Sequence, residues 1–421
     1  MASVSSKAGL SAWYKSSISF VNLWSIPTWL KVLLLNMEVA AAFSFALFFA
    51  PGLRSATATP TIVALSWLEV NAMFFFHLGY NFFATSESDG GDKAQAAPDL
   101  GGILKSSDTA ADDLSQRILD PSAKRLIPVA REDLRRPAYA WPTLALTLLG
   151  LSIWAGSFVL RITNIVTSLP LTVVLSCLGT YICFTPMHDA CHRAIAPRDQ
   201  MTNDFVGLLV SAPFFFQYSL FKRIHLLHHR YANDSKLDPD NWAGSGPEWL
   251  FPVRWATVFY FYAHYVLEAS KTDPSWNSTL IAQFVLVAFA KMTGSWLLGE
   301  NYFICWVLPF HASTAFLMYF FDYLPHRPHK VPHAADPYKA TSVTTFLRER
   351  LLAIPMLNQD LHNIHHLYPY LPFYAYSRIW QKHRDELVRR GTRVLPLVLF
   401  GGRKLYLSEL GGSGGEEKKI E

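Results

Sequence analysis

The chain has 421 residues, of which 51% are hydrophobic and only 16% are charged, and it contains 30 Phe, 18 Tyr and 13 Trp. This composition is too apolar for a soluble domain of that length and predicts a multispanning membrane protein. The net charge of +5 is unremarkable, and no basic stripe interleaved with aromatic residues indicates a nucleic-acid partner. The four cysteines form no C-x-x-C pair, so we expect buried thiols rather than disulfides or an iron–sulfur site.

Six apolar stretches are long enough to cross about 30 Å of hydrocarbon, which takes roughly 20 helical residues. They come in pairs, at residues 30–50 and 61–83, 139–161 and 164–187, and 279–298 and 302–323. A polar segment without periodicity follows the first pair and predicts a partly disordered linker. We therefore expect an N-terminal transmembrane hairpin (1–84), a linker (85–136), a main helical domain (137–405) and a flexible tail (406–421).

Eight of the fifteen histidines fall into three clusters with helical spacing. Residues three and four apart share one face of a helix, so each cluster is expected to direct its imidazoles to one point. Neutral imidazole binds transition metals, and eight ligands exceed what one ion holds, which predicts two metals. No H-E-x-x-H motif supplies the ligand pair and glutamate base of a zinc hydrolase, so iron is favoured. The clusters are His188 and His192; His225, His228 and His229; and His362, His365 and His366.

The three clusters emerge on one side of the membrane only if nothing between the first and the second crosses it. Residues 205–221 are too short to span, and residues 251–268 contain Arg254 and His264, so we expect both segments to lie in the interface. Lys and Arg surround the clusters but are nearly missing from the opposite-side turns. The clusters, the linker and both termini are therefore predicted to be cytosolic.

Over residues 139–393, the clusters HDACH, HLLHH and HNIHH resemble the three histidine boxes of the membrane fatty-acid desaturase and hydroxylase superfamily. Asn233 and the segments LDPD (237–240), YLPHRP (323–328), LYP (367–369) and LPFY (371–374) are similar to those of the β-carotene hydroxylase branch. The resemblance implies an all-α fold: a four-helix desaturase-like transmembrane core with a cytosolic di-iron cap, to which this chain adds the N-terminal helical hairpin.

The resemblance also implies the metal ligands. The eight box histidines would hold two non-haem irons, with His326 as the ninth ligand and His329 as its rival. Asp322, one turn before His326, would hold a water on iron. Ligating imidazoles usually pass their other N–H to a carboxylate or carbonyl, and the candidates for that contact are Asp189, Asp238, Asp240 and Asp360.

The implied activity is O2-dependent desaturation or hydroxylation of a long apolar lipid. A fatty-acyl chain is the leading substrate and a carotenoid ring the alternative, while a membrane zinc hydrolase or metal carrier is the alternative from another class. Because the chain has no dinucleotide motif or haem domain, electrons must come from cytochrome b5 in the endoplasmic reticulum or from ferredoxin in a plastid or bacterium. The terminal KKIE (418–421) matches a dilysine signal and favours the reticulum, whereas the Ser-rich first twenty residues would suit a plastid transit peptide.

Three further features have ordinary structural interpretations. The aromatic run 214–216 is expected to anchor the chain in lipid rather than line a tunnel. The basic stretch 378–393 is expected to be a solvated or headgroup-facing helix rather than a docking site for the electron donor. Five histidines outside the clusters are expected to be hydrogen-bonded or interfacial, namely His77, His264, His311, His333 and His383.

Overall fold

The computed structural model describes residues 129–272, 275–328, 330–345 and 352–396, together with Leu65, Leu68 and Phe76. Within these ranges the chain is mostly helical, which confirms the predicted all-α class. Apart from these three residues, the predicted N-terminal hairpin lies outside the described residues, as do most of the linker, the KKIE tail, His77 and His329.

The described helices are α1 (Trp141–Ile162), α2 (Leu169–Cys191), α3 (Gln200–Ser211), α4 (Tyr218–Tyr231), α5 (Phe251–Ala256), α6 (Val258–Thr272), α7 (Ser275–Leu298), α8 (Glu300–His326), α9 (His362–Leu367) and α10 (Tyr376–Arg390).

Three of the described helices, α1, α2 and α8, are long and apolar enough to cross a membrane. They coincide with three of the predicted spans. The predicted span at 279–298 is helical and lies in α7, but the apolar stretch found there is Val285–Leu298, which is shorter than a bilayer requires, so this segment stays a predicted span.

Helices α1 and α2 pack as a close antiparallel pair. A Cβ on Gly179 would lie 2.5 Å from the backbone N of Trp154, and one on Gly150 would lie 2.8 Å from Cys183 Sγ. Small residues therefore allow the two backbones to approach, as is common between membrane helices. This pairing fixes the end of α2, where the first histidine box lies.

Helix α8 contains two π-helical segments, Phe303–Val307 and Met318–Tyr323. Each ends two residues before a proline, Pro309 or Pro325. Proline has no N–H and its ring crowds the carbonyl four residues earlier, so the helical hydrogen-bond ladder widens there. The second π segment carries Asp322 towards the histidines, and α8 ends at His326.

Helices α3 and α4 meet at 97°, so the region around residues 205–221 is not a straight span. Phe215 adopts the left-handed conformation at the turn, with φ of 49°. The expected placement of this segment and of residues 251–268 in the membrane interface stays a prediction.

The expectation that residues 214–216 face lipid is wrong. All three phenylalanines are buried. Phe214 and Phe216 contact the ring of Phe259 on α6, and Phe215 stacks on Trp306 of α8 at 4.3 Å. The turn between α3 and α4 folds them into the protein core, which their sequence position beside an apolar helix did not indicate.

A two-stranded parallel sheet, β1 (Ser342–Thr345) and β2 (Arg393–Pro396), was not predicted. Along the chain, β1 precedes the third box and β2 follows α10. Asn363, inside that box, donates hydrogen bonds to the carbonyls of Tyr338 and Thr341 and accepts one from Thr392 Oγ1 at 2.8 Å. The sheet and Asn363 together fix α9 against the ends of the spanning helices.

Candidate metal centre

The structure brings all nine predicted histidines together in the protein interior, from α2, α4, α8 and α9. They form two groups, and within each group the potential ligand nitrogens all lie within 4.8 Å of one another. One group contains His188, His192, His225, His229 and His365; the other contains His228, His326, His362 and His366.

The prediction that each H-x-x-H-H cluster converges on one point is wrong. His225 and His229 join one group while His228 joins the other, and box three divides in the same way. Successive helical residues are rotated by about 100°, so adjacent histidines cannot share a target, whereas residues four apart can. Each of these boxes therefore serves both groups and holds them at a fixed separation.

The spacing of the nitrogens fits metal coordination. In the five-histidine group, Nε2 of His365 lies 2.9 Å from that of His188 and 2.8 Å from that of His229. In the other group, Nε2 of His362 lies 3.1 Å from that of His326 and 3.0 Å from that of His366. Ligands about 2.1 Å from one ion lie about 3.0 Å apart at 90° and about 3.4 Å apart in a tetrahedron. The donor set is thus compatible with two six-coordinate transition-metal ions.

Three imidazoles have identified partners on Nδ1, which leaves Nε2 directed into its group. His228 Nδ1 lies 2.9 Å from Asp238 and 3.3 Å from Asp240, as the sequence predicted for these two carboxylates. His365 Nδ1 lies 2.9 Å from the Tyr376 hydroxyl. Such contacts fix the tautomer and the ring orientation of a ligand.

The third such contact joins His326 Nδ1 to Asn233 Oδ1 at 3.2 Å. Asn233 has a left-handed backbone with φ of 65°, and its Nδ2 donates to the carbonyls of Val331 and Ala340. The sequence singled out Asn233 as part of a flanking motif but not as a partner of His326. Tyr376 was missed altogether, because nothing near it in sequence marks it.

Two predicted carboxylate partners have other surroundings. Asp189 accepts hydrogen bonds from Thr143 Oγ1 at 2.8 Å and from the backbone N–H of Phe373, so it joins α1 and α2 to the segment after box three. Asp360 is buried and lines a cavity beside Trp380 and Arg384. A role for Asp360 at the metals stays a prediction.

Burial shapes the charge of the site. It lowers the pKa of His362, His365 and His366 well below the ordinary histidine value, with further lowering from neighbouring histidines. These imidazoles are therefore neutral, which is the form that binds metal. Burial also raises the pKa of Asp240 to about 6.

A cavity of about 50 Å³ lies against both groups. Its wall includes His188 and His225 from one group and His228 and His362 from the other, together with Asp322. The remainder of the wall is mainly apolar and comes from α2, α4, α6 and α8, namely Phe184, Phe221, Val258, Phe259, Leu317, Met318 and Phe321.

Apart from His326, the four described histidines outside the boxes are not members of either group, as predicted. His311 lies 2.9 Å from the carbonyl of Ala256 and 3.2 Å from the Tyr260 hydroxyl. His264 packs against Phe261, and His383 lies 3.9 Å from Asp133. His333 comes nearest, with its ring centroid 6.0 Å from that of His366.

Several curated proteins are similar in sequence to this chain. The most similar relatives include a zeaxanthin 4-ketolase of Chlamydomonas reinhardtii, 25% identical over 51% of this chain and 43% of its own length. A β-carotene ketolase of Haematococcus lacustris is 29% identical over 52% and 62%, and a dihydrorhizobitoxine desaturase of Bradyrhizobium elkanii is 26% identical over 52% and 67%. The chain thus spans about half the length of the first of these relatives.

A family model provides the broader assignment. Residues 164–397 match the fatty acid desaturase model, and this range is more than half of the chain and contains all nine histidines. The three apolar helices are in keeping with a membrane protein. The protein is accordingly a membrane enzyme of the fatty acid desaturase family.

Proposed function

We propose that this enzyme binds two iron ions and uses O2 to oxidise an unactivated C–H bond of a long apolar lipid. The observation that carries the proposal is the pair of buried histidine groups beside an apolar cavity. When bound, the irons would supply O2 activation, and the protein would supply position and surroundings. The five-histidine group would hold one ion and the four-histidine group the other.

The residues around the cavity would orient the substrate and exclude water. Phe184 and Phe321 contact each other, with ring centroids 5.5 Å apart, and both line the cavity. Their rings confine an apolar segment beside His188 and His362, and a fixed position near the metals decides which carbon reacts. The same apolar wall keeps bulk water from the reactive centre.

We propose a carotenoid ring as the leading substrate. Four curated relatives are named as carotenoid ketolases. The sequence around the second and third boxes is also similar to that of carotene ring enzymes. The second candidate is a fatty-acyl chain, the first expectation from the sequence, which is supported by the name of the matching family model.

Electron supply and location are parts of the same proposal. All four cysteines are free and do not form a cluster, so electrons would come from a separate protein, cytochrome b5 or ferredoxin. A carotenoid substrate suits a plastid membrane, whereas the KKIE tail suits the endoplasmic reticulum. Fractionation of cells that express the tagged full-length chain would distinguish the two membranes.

The test is expression in a host that lacks the activity, with and without β-carotene, followed by pigment and lipid analysis. We expect an oxygenated carotenoid that forms only with O2, and about two irons per purified chain. New acyl double bonds with unchanged carotene would favour the second candidate. Stoichiometric zinc with activity that persists without O2 would overturn the proposal in favour of a hydrolase.

A further inference from the structure

Apart from the candidate metal ligands and Asp322, whose Oδ2 is also unpartnered, two polar groups in the wall of the apolar cavity are buried without a hydrogen-bond partner among the described residues. They are Thr314 Oγ1, on α8, and Gln359 Nε2, in the turn just before box three. Each of these residues is only 1% exposed. Leaving a buried donor unpaired costs about 1–3 kcal/mol, so such groups usually mark a place that a ligand or water completes.

The hydroxyl of Thr314, like that of Thr185, lacks the backbone hydrogen bond that three other buried helical threonines make. Helical threonines commonly bond the carbonyl four residues earlier. Thr147, Thr172 and Thr180 do so, at 3.0, 2.9 and 2.9 Å. Thr314 has the same helical setting but lines the cavity instead. Its hydroxyl is therefore available to a group inside the cavity.

We propose that Thr314 and Gln359 form a polar subsite that hydrogen-bonds a hydroxyl or keto oxygen on the lipid. The amide N–H donates and the hydroxyl can donate as well as accept, so a hydroxyl or keto oxygen of the lipid can accept a hydrogen bond from both. The enzyme then selects a lipid that already carries oxygen near the reacting carbon over the parent hydrocarbon. This inference rests on the proposed oxidation of a lipid beside the histidine groups.

The selection follows from the surroundings of the two donors. The parent hydrocarbon would fill the cavity but leave both donors unpaired in an apolar wall. A site that hydrogen-bonds an oxygen of its ligand discriminates against an analogue without that oxygen, because the buried polar groups of the protein are then left without hydrogen bonds. One such bond corresponds to roughly tenfold in affinity.

The test measures binding to the full-length enzyme in lipid nanodiscs without O2, so that no turnover occurs. Zeaxanthin and its parent β-carotene form one pair of probes, and ricinoleate and its parent oleate form the other. Quenching of tryptophan fluorescence reports the polyenes, and displacement of a bound polyene reports the fatty acids. We expect the wild type to bind the hydroxylated member of at least one pair about tenfold or more tightly than the parent.

Variants assign this preference to the subsite. Thr314→Val keeps the shape and removes the hydroxyl, and Gln359→Leu removes the amide; each should lose most of the preference while affinity for the parent is kept. Thr314→Ser should restore it. The matched control is Thr185→Val on α2, because Thr185 is also buried with an unpartnered hydroxyl among the described residues but does not line the cavity. That control should keep the wild-type preference.

Equal binding of both members of each pair by the wild type would overturn the inference and leave the two donors hydrated by water only. A preference that survives in both Thr314→Val and Gln359→Leu would also overturn it. Failure of the proposed oxidation is a separate result. Chains that bind the hydroxylated lipid selectively but release no oxidised product under O2 would retain the subsite and refute the activity.

Discussion

In a ligating imidazole, the hydrogen bond made by one ring nitrogen fixes the direction of the other nitrogen, which faces the metal. His365 illustrates this, because its Nε2 lies within 3 Å of two other histidines while its Nδ1 meets the Tyr376 hydroxyl. With the metal on Nε2, Nδ1–H would donate to the tyrosine oxygen. Tyr376 is fully buried on α10, so helix packing holds the ligand in place.

Tyr376→Phe should lower iron affinity by about 10- to 100-fold without unfolding the protein, because it removes only the partner of His365. Iron titration of the purified apo-protein would measure the change. Tyr368→Phe is the matched control, since the Tyr368 hydroxyl is buried with no hydrogen-bond partner among the described residues. Equal iron affinity in both variants would show that Tyr376 does not position the ligand.

His365→Ala and His228→Ala should each abolish product and lower iron from about two to about one per chain. The two substitutions affect different groups, so each should release a different ion. Metal analysis together with product analysis checks the prediction. His383→Ala lies outside both groups and should keep two irons. Retained turnover in either ligand variant would contradict the assignment.

At the scale of elements, the short distance between α1 and α2 depends on the missing side chain of Gly179. Gly179 faces the backbone of Trp154, whereas a Cβ placed on Gly156, also in the pair, would meet no atom within 4 Å. The end of α2 carries His188 and His192, and Thr143 on α1 bonds Asp189 between them. The packing of this pair therefore sets the position of the first box.

Gly179→Ala should destabilise the protein by about 1–3 kcal/mol, since its Cβ would force the two helices apart. Gly156→Ala is the control and should be neutral or slightly stabilising, because alanine favours the helix. Thermal unfolding of both variants in the same detergent measures the difference. A melting temperature for Gly179→Ala equal to that of the wild type would mean that the two helices can move apart without loss of stability.

At the scale of the whole molecule, Asp133 joins the segment before α1 to α10. Its carboxylate accepts a hydrogen bond from Lys382 at 2.6 Å, and its carbonyl accepts one from Arg378 at 2.7 Å. Arg389 and Arg390 pair with Glu386 in the same helix. These pairs offset part of the positive charge of the basic stretch, and its expected solvated or headgroup-facing position stays a prediction.

The bond from Lys382 lowers the pKa of Asp133 from its ordinary value of 3.8. A lowered pKa stabilises the fold at pH values above 3.8, and that stabilisation disappears as the pH falls through the folded value. Asp133→Asn should therefore lower the unfolding temperature near neutral pH, and the gap to the wild type should persist to about pH 4 and narrow as the pH falls below 3.8.

The control for this prediction is Asp336→Asn, which breaks a more exposed ion pair to Lys339. Exposed pairs contribute little, so its unfolding temperature should follow the wild type at every pH. Scanning calorimetry from neutral to acidic pH would measure both variants. A gap for Asp133→Asn that stays constant over this range would contradict the electrostatic explanation.

The sequence by itself determined the helical membrane class, three spans and the eight box histidines that meet. These features are local, since hydropathy and the spacing of residues three or four apart act within one helix. The family resemblance added His326, which the bare pattern did not include. The carboxylates Asp238 and Asp240 were also identified, because they follow the second box closely.

Only the tertiary structure decided which histidines of different boxes share a group and what holds them. His188 and His365 meet across 177 residues, and His326 meets Asn233 across 93. Such contacts depend on how helices pack, so no local pattern reports them. The same holds for the Tyr376 contact, the burial of residues 214–216 and the polar subsite at Thr314. The spacing of the histidines within a box follows from the geometry of one helix. The residue that contacts the second ring nitrogen of a histidine depends instead on which element packs against that helix.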